Sequence, residues 1–79
     1  MEETKIYDAK EIEEANISLT IKEVVTLLEE RGYNPINQIV GYLMSGDPGY
    51  ISSYKDARKK ITKLDRSKII EVIVKDFVK

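Results

Sequence analysis

Two helix starts close together limit what this chain can fold into. Asn34-Pro35 and Asp47-Pro48 each place a side-chain acceptor at an N-cap position and a proline at the first helical position, where its missing N–H costs nothing. Gly32 and Gly46, just ahead of them, close the preceding helices by taking the left-handed conformation. The stretch from Gly32 to Tyr50 therefore dictates how successive helices turn into one another. It holds no nucleophile with a base, no metal ligand set and no phosphate loop, so its chemistry is architectural.

Hydrophobic periodicity supplies the elements on either side. Leu19, Ile21, Val24, Val25 and Leu28 recur with a helical period against Glu23, Glu29 and Glu30, predicting a helix capped by Ser18 and ended by Gly32. After Pro35, the residues Ile36, Ile39, Val40 and Leu43 form the buried stripe of a short second helix. Gly41 in its middle weakens that helix by about 1 kcal/mol relative to alanine, which fits a site where another helix or a symmetry mate approaches the backbone. A turn of helix follows Asp47-Pro48 through Tyr50 and Ile51. Ser52 or Ser53 then caps a helix over residues 54–64, and Asp65 caps the last one.

In that last helix Ile69, Ile70, Val72, Ile73, Phe77 and Val78 cover too wide an arc for a single neighbour. Its β-branched content makes a strand over residues 68–74 the alternative, but Glu71, Lys75 and Asp76 follow a helical face and no second strand is evident. Residues 1–17 carry only Ile6, Tyr7, Ile12 and Ile17 as large apolar side chains, and read as a flexible acidic tail ahead of a single domain at 18–79. The expected fold class is all-α: a compact domain of four to five short helices, homodimeric because a 79-residue core is marginal without outside help.

Composition narrows the function classes. With no Cys and no His, disulfides, thiolate-bound zinc and an imidazole base are excluded, so neither a cofactor nor an enzymatic role is expected. No apolar run approaches the roughly 18 residues of a membrane span and no leader is apparent, which predicts a cytoplasmic chain without membrane insertion. Charge is unevenly placed. Residues 1–14 carry six acids against Lys5 and Lys10, while Lys55, Arg58, Lys59, Lys60, Lys63, Arg66 and Lys68 face only Asp56 and Asp65. That basic region is either a solvated helix face or a site for an anion or an acidic partner, with Arg58, Lys59, Lys63 and Arg66 as the candidate contacts.

Thr4 is a hydroxyl in a charged tail, either solubilising filler or a site of the kind that enters a kinase groove without unfolding a core; Thr20 and Ser18 are weaker alternatives, since both look like helix-start residues. Tyr33, Tyr42 and Tyr50 are either half-buried rings or a stacking platform, and Asn37 and Gln38 satisfy backbone groups or a dimer contact. Two short helices joined through Ser45-Gly46-Asp47-Pro48 superficially match a helix-turn-helix, making a nucleic-acid binder the alternative. Its slightly acidic chain, with net charge −1, and the Asp47, Gly49 and Ile51 of its second helix argue against that reading.

The order Gly32-Tyr33-Asn34-Pro35-Ile36-Asn37-Gln38-Ile39-Val40-Gly41-Tyr42, then Ser45-Gly46-Asp47-Pro48, Tyr50-Ile51 and Asp56-Ala57-Arg58, resembles the IreB/ReoM family of small cytosolic regulators of low-GC Gram-positive bacteria. The resemblance runs from about Leu19 to Lys79. It implies a regulatory phosphoprotein whose N-terminal threonine is modified by a membrane-bound Ser/Thr kinase with PASTA repeats and restored by a phosphatase. Thr4 occupies the comparable place. It further implies that the unmodified protein restrains peptidoglycan synthesis, in some members by promoting Clp-protease degradation of UDP-N-acetylglucosamine 1-carboxyvinyltransferase, and that phosphorylation lifts the restraint. Arg58 and Arg66 match arginines of the family motif; other members tend to carry further basic residues where this chain has Ser53 and Thr62, so its basic surface is thinner.

Overall fold

A computed structural model describes residues 8–79, and Asp8 already belongs to the first helix: its Oδ1 accepts the Glu11 N–H at 2.8 Å, an N-cap for α1, Ala9–Glu30. This corrects the expected start at Ser18. Residues 9–17 are helix and not tail, and Ser18 and Thr20 lie inside α1, far from its first turn. The core-facing stripe is corrected with it. Ile17 is buried, whereas Leu19, about 200° further round the helix, is 66% exposed. Val24 and Leu28 continue the Ile17 face into the core.

The punctuation read from the sequence is in place. Gly32, at φ 83°, ends α1 with its N–H on the Glu29 carbonyl while Tyr33 N–H reaches the Leu28 carbonyl, the paired bonds of a left-handed helix stop. Asn34 Oδ1 accepts the Asn37 N–H at 3.1 Å to open α2, Pro35–Ser45. Gly46 closes it at φ 77°, donating to the Tyr42 carbonyl at 2.7 Å. Asp47 then accepts the Gly49 N–H at 2.8 Å and starts a 3₁₀ turn, Pro48–Tyr50. The close approach expected at Gly41 comes from within this chain: a Cβ there would collide with the Tyr50 ring.

The third helix departs from expectation. Residues 54–64 do not form one helix but a 3₁₀ turn, Tyr54–Asp56, and a short α3, Ala57–Thr62. Within that turn Lys55 and Asp56 sit consecutively at φ 46° and 65°. Side chains enter this left-handed region at a cost of about 1–2 kcal/mol per residue, so tertiary contacts must hold it. Ser53 makes no capping bond, and the Ser52 hydroxyl serves the 3₁₀ turn instead by accepting the Tyr54 N–H at 3.1 Å. Asp65 opens α4, Arg66–Phe77, through the Ser67 N–H at 2.9 Å, and the region considered as a strand is helix.

Among the described residues the fold is all-α, and no helix is long and apolar enough to cross a membrane. The core joins the four α-helices: Ile17, Val24 and Leu28 from α1 meet Ile39 and Tyr42 of α2, Ala57 and Ile61 of α3 and Ile69 of α4, with Ile51 from between the 3₁₀ turns. Fully burying such aliphatic side chains stabilises the fold by about 1.5–3 kcal/mol apiece. Among the described residues four ion pairs, Glu13–Lys68, Glu14–Lys75, Glu23–Lys60 and Glu30–Lys55, lie along α1 and tie it to the C-terminal half.

Candidate functional site

The corner between the 3₁₀ turns and α3 brings part of the predicted basic set together. Buried Ile51 lies between the two turns, and its carbonyl accepts the Arg58 Nε–H at 2.8 Å. The next residue, Ser52, receives the Gln38 side chain from α2: Gln38 Oε1 accepts the Ser52 N–H at 2.9 Å. Gln38 thus satisfies a backbone group, one of the two roles expected for it. Asn37 contributes its backbone N–H to the Asn34 cap. The Arg58 N–H in turn reaches the Ser52 carbonyl at 3.1 Å. The result is a shallow groove of about 390 Å³ lined by Pro48, Ser53, Asp56, Arg58, Lys59 and Thr62.

Arg58 and Lys59 therefore share one surface, and Lys63 follows Lys59 by one exposed turn at the end of α3. Arg66 is held elsewhere. Its guanidinium donates to the Leu43 carbonyl at 3.0 Å and lies against Gly46, where an added Cβ would come within 2.8 Å of Cζ. Each motif arginine thus braces a main-chain carbonyl as well as presenting charge. Among the described residues the ion pairs engage Lys55, Lys60, Lys68, Lys75 and Lys79, leaving Arg58, Lys59, Lys63 and Arg66 without a carboxylate partner. Arg58 and Lys59, which share the groove with Ser53 and Thr62, have charge free to take a carboxylate or a phosphate.

Asp56 and Glu30 carry roles the charge pattern did not reveal. Asp56 stands at the N-cap position of α3, yet its left-handed backbone leaves its carboxylate without a capping bond, beside Arg58 and Lys59 in the groove. Glu30, at the end of α1, accepts the Tyr54 O–H at 2.6 Å and the Lys55 Nζ–H at 3.0 Å on one oxygen. The Tyr54 hydrogen bond, then Lys55, holds the Glu30 carboxyl below the usual range, and Glu30 in turn raises Lys55. Nothing local in the sequence pairs Glu30 with residues so far along the chain.

A second surface is apolar. Ile21 and Val25 of α1, Ile36, Ile39, Val40 and Leu43 of α2, and Ile70, Ile73 and Val74 of α4 line a depression of about 380 Å³. Ile36 is 72% exposed and Val74 53% exposed. Of the signature tyrosines, Tyr42 is buried, Tyr50 covers Gly41 with half its surface exposed, and Tyr33 is exposed after α1; they do not form a common platform. The element that the helix-turn-helix reading needs after Asp47 is only the three-residue 3₁₀ turn, too short to read a groove. Thr4, the expected phosphorylation site, lies outside the described residues.

These elements assemble a charged groove and a separate apolar depression. Compared with known families, residues 2–79 match the model of the IreB regulatory phosphoprotein, and the chain belongs to that family.

Proposed function

We infer that this regulatory phosphoprotein is a cytoplasmic, non-enzymatic brake on peptidoglycan synthesis, released when a PASTA-type Ser/Thr kinase phosphorylates Thr4 and reset by a phosphatase. The unmodified protein engages its target through Arg58, Lys59 and Lys63, and through Arg66 at its separate position, and promotes Clp-dependent loss of UDP-N-acetylglucosamine 1-carboxyvinyltransferase. The observation that carries this reading is the family match across residues 2–79, which includes Thr4, together with a groove whose cations have no carboxylate partner among the described residues. Phosphate adds about −1.5 to −2 charges to a segment already bearing Glu2 and Glu3. Such a change shifts binding by about five- to 150-fold.

The deciding experiment treats the purified protein with a wall-sensing Ser/Thr kinase and measures binding to the purified carboxyvinyltransferase before and after. Thr4→Ala is expected to abolish most of the incorporated phosphate and to leave the brake permanently on. Label persisting in Thr4→Ala would move the site, with Thr20 next. No label at any position, with binding indifferent to kinase treatment, would overturn the reading.

The working form is a homodimer through α2 and part of α4. Supporting this, Ile36, Val40 and Met44 on α2 and Ile70, Ile73 and Val74 on α4 are all at least 40% exposed, an apolar expanse that a soluble monomer rarely leaves open. Light scattering at micromolar concentration should return twice the chain mass; a clean monomer would remove the dimer from the proposal.

A further inference from the structure

The Lys55–Asp56 turn is the one place where non-glycine residues hold left-handed backbone angles among the described residues, and it does so twice in succession. A helix running unbroken from Tyr54, as the sequence pattern favours, would need neither angle. What opposes that helix is visible on both sides. From α1, Glu30 takes the Tyr54 O–H and the Lys55 Nζ–H on the same oxygen, and Arg31 lies over the Tyr54 ring with its Cζ 5.4 Å from the centroid. From the chain ahead, Ser52 binds the Tyr54 N–H and the Ser53 carbonyl accepts the Asp56 N–H.

The turn sets where α3 begins. It places Ala57 fully buried, directs Arg58 Nε to the Ile51 carbonyl, and leaves the Asp56 carboxylate beside the Arg58 and Lys59 groove. Relaxing the two residues into right-handed helix would rotate everything that follows, since one helical residue advances the side-chain direction by about 100°. Backbone strain is retained where surrounding contacts over-determine it, and it clusters where a protein presents functional groups.

We propose that Glu30 is a positioning residue for the Arg58–Lys59 surface, holding the Lys55–Asp56 turn in the left-handed form that places this surface beside Pro48 and Ser53. The inference rests on the reading of that surface as the partner contact. Glu30 touches no partner itself. Its role is to keep a strained turn from relaxing, so the requirement for it should lessen if the strain at Lys55, one of the two left-handed residues, is removed by glycine, which enters that region freely.

The test compares Glu30→Ala, Glu30→Gln and the double variant Glu30→Ala/Lys55→Gly by amide chemical shifts and by affinity for purified UDP-N-acetylglucosamine 1-carboxyvinyltransferase. Glu30→Ala should move the Arg58 and Lys59 amide resonances and weaken binding by about tenfold, the scale of one lost charge-assisted contact. Glu30→Gln, which keeps an acceptor for the Tyr54 hydroxyl, should stay near the parent on both readouts. The glycine double variant should return both toward the parent although it restores no side-chain contact. Unmoved Arg58 and Lys59 resonances in Glu30→Ala, or a double variant no better than the single, would overturn the positioning role. If resonances shift and recover but Arg58→Ala binds the enzyme as well as the parent, the partner-contact reading fails, and the functional part of this inference with it.

Discussion

The two halves of α1 are built from the same helical backbone but held by different forces. From Ile17 to Glu30 the helix buries Ile17, Val24 and Leu28 in the core shared with α2, α3 and α4. Residues 9–16 bury nothing: each is exposed apart from Glu14, which is partly covered. What this first half has instead is the Asp8 cap and two cross-ties, Glu13–Lys68 at 2.8 Å and Glu14–Lys75 at 2.7 Å. A helix already nucleated by packing extends at low cost through good helix formers such as Ala9, Lys10, Glu11 and Ala15. Hydrophobic pattern reveals the half that the core needs and is silent about the half that only the ends and charges support.

The largest effect should come from the buried half. Leu28→Ala removes a side chain with no exposed surface, and should destabilise the domain by about 2–5 kcal/mol, read as a lowered denaturant midpoint. A loss under about 1 kcal/mol would mean that the buried half is not where the stability resides.

Asp8→Ala should cost less, about 0.5–2 kcal/mol of local helix stability. Hydrogen exchange should quicken over residues 9–16 and stay slow at Val24 and Leu28. Equal acceleration in both halves would show that α1 opens as one unit, erasing the contrast.

The smallest effect belongs to the cross-ties. Glu13 raises Lys68 and Glu14 raises Lys75 above the ordinary lysine value of 10.5. Raised in the folded state, both lysines contribute stability that is fully present below 10.5 and lost as pH climbs through their higher folded values. Both side chains are solvent-exposed, so the change should appear as a modest decline in circular dichroism helicity in alkali, before global unfolding. Replacing Lys68 and Lys75 together by glutamine should remove that early decline; its persistence would assign it to other groups.

The same contrast explains what was legible in the chain. Gly32, Asn34-Pro35, Gly46, Asp47-Pro48 and Asp65 were readable because a cap or a left-handed stop is decided by one or two neighbouring residues. The Lys55–Asp56 turn was not, because it runs against local preference and depends on Glu30 from another helix. In the candidate site, Arg58 and Lys59 were recognisable from charge. That Arg66 would turn away to the Leu43 carbonyl, and that Asp56 would enter the groove, depends on where the helices break, which charge spacing along one continuous helix misplaces.

Gly41 and Tyr50 illustrate the same dependence as a constraint on change. Because the Tyr50 ring occupies the space that a Cβ at position 41 would need, these positions on successive elements behave as one steric unit. The acceptable residue at one is conditional on the residue at the other: enlarging position 41 first requires position 50 to shrink or swing out, and doing so would uncover the α2 backbone. The order in which substitutions arrive therefore matters at this corner, and a change harmless in one background is a clash in another.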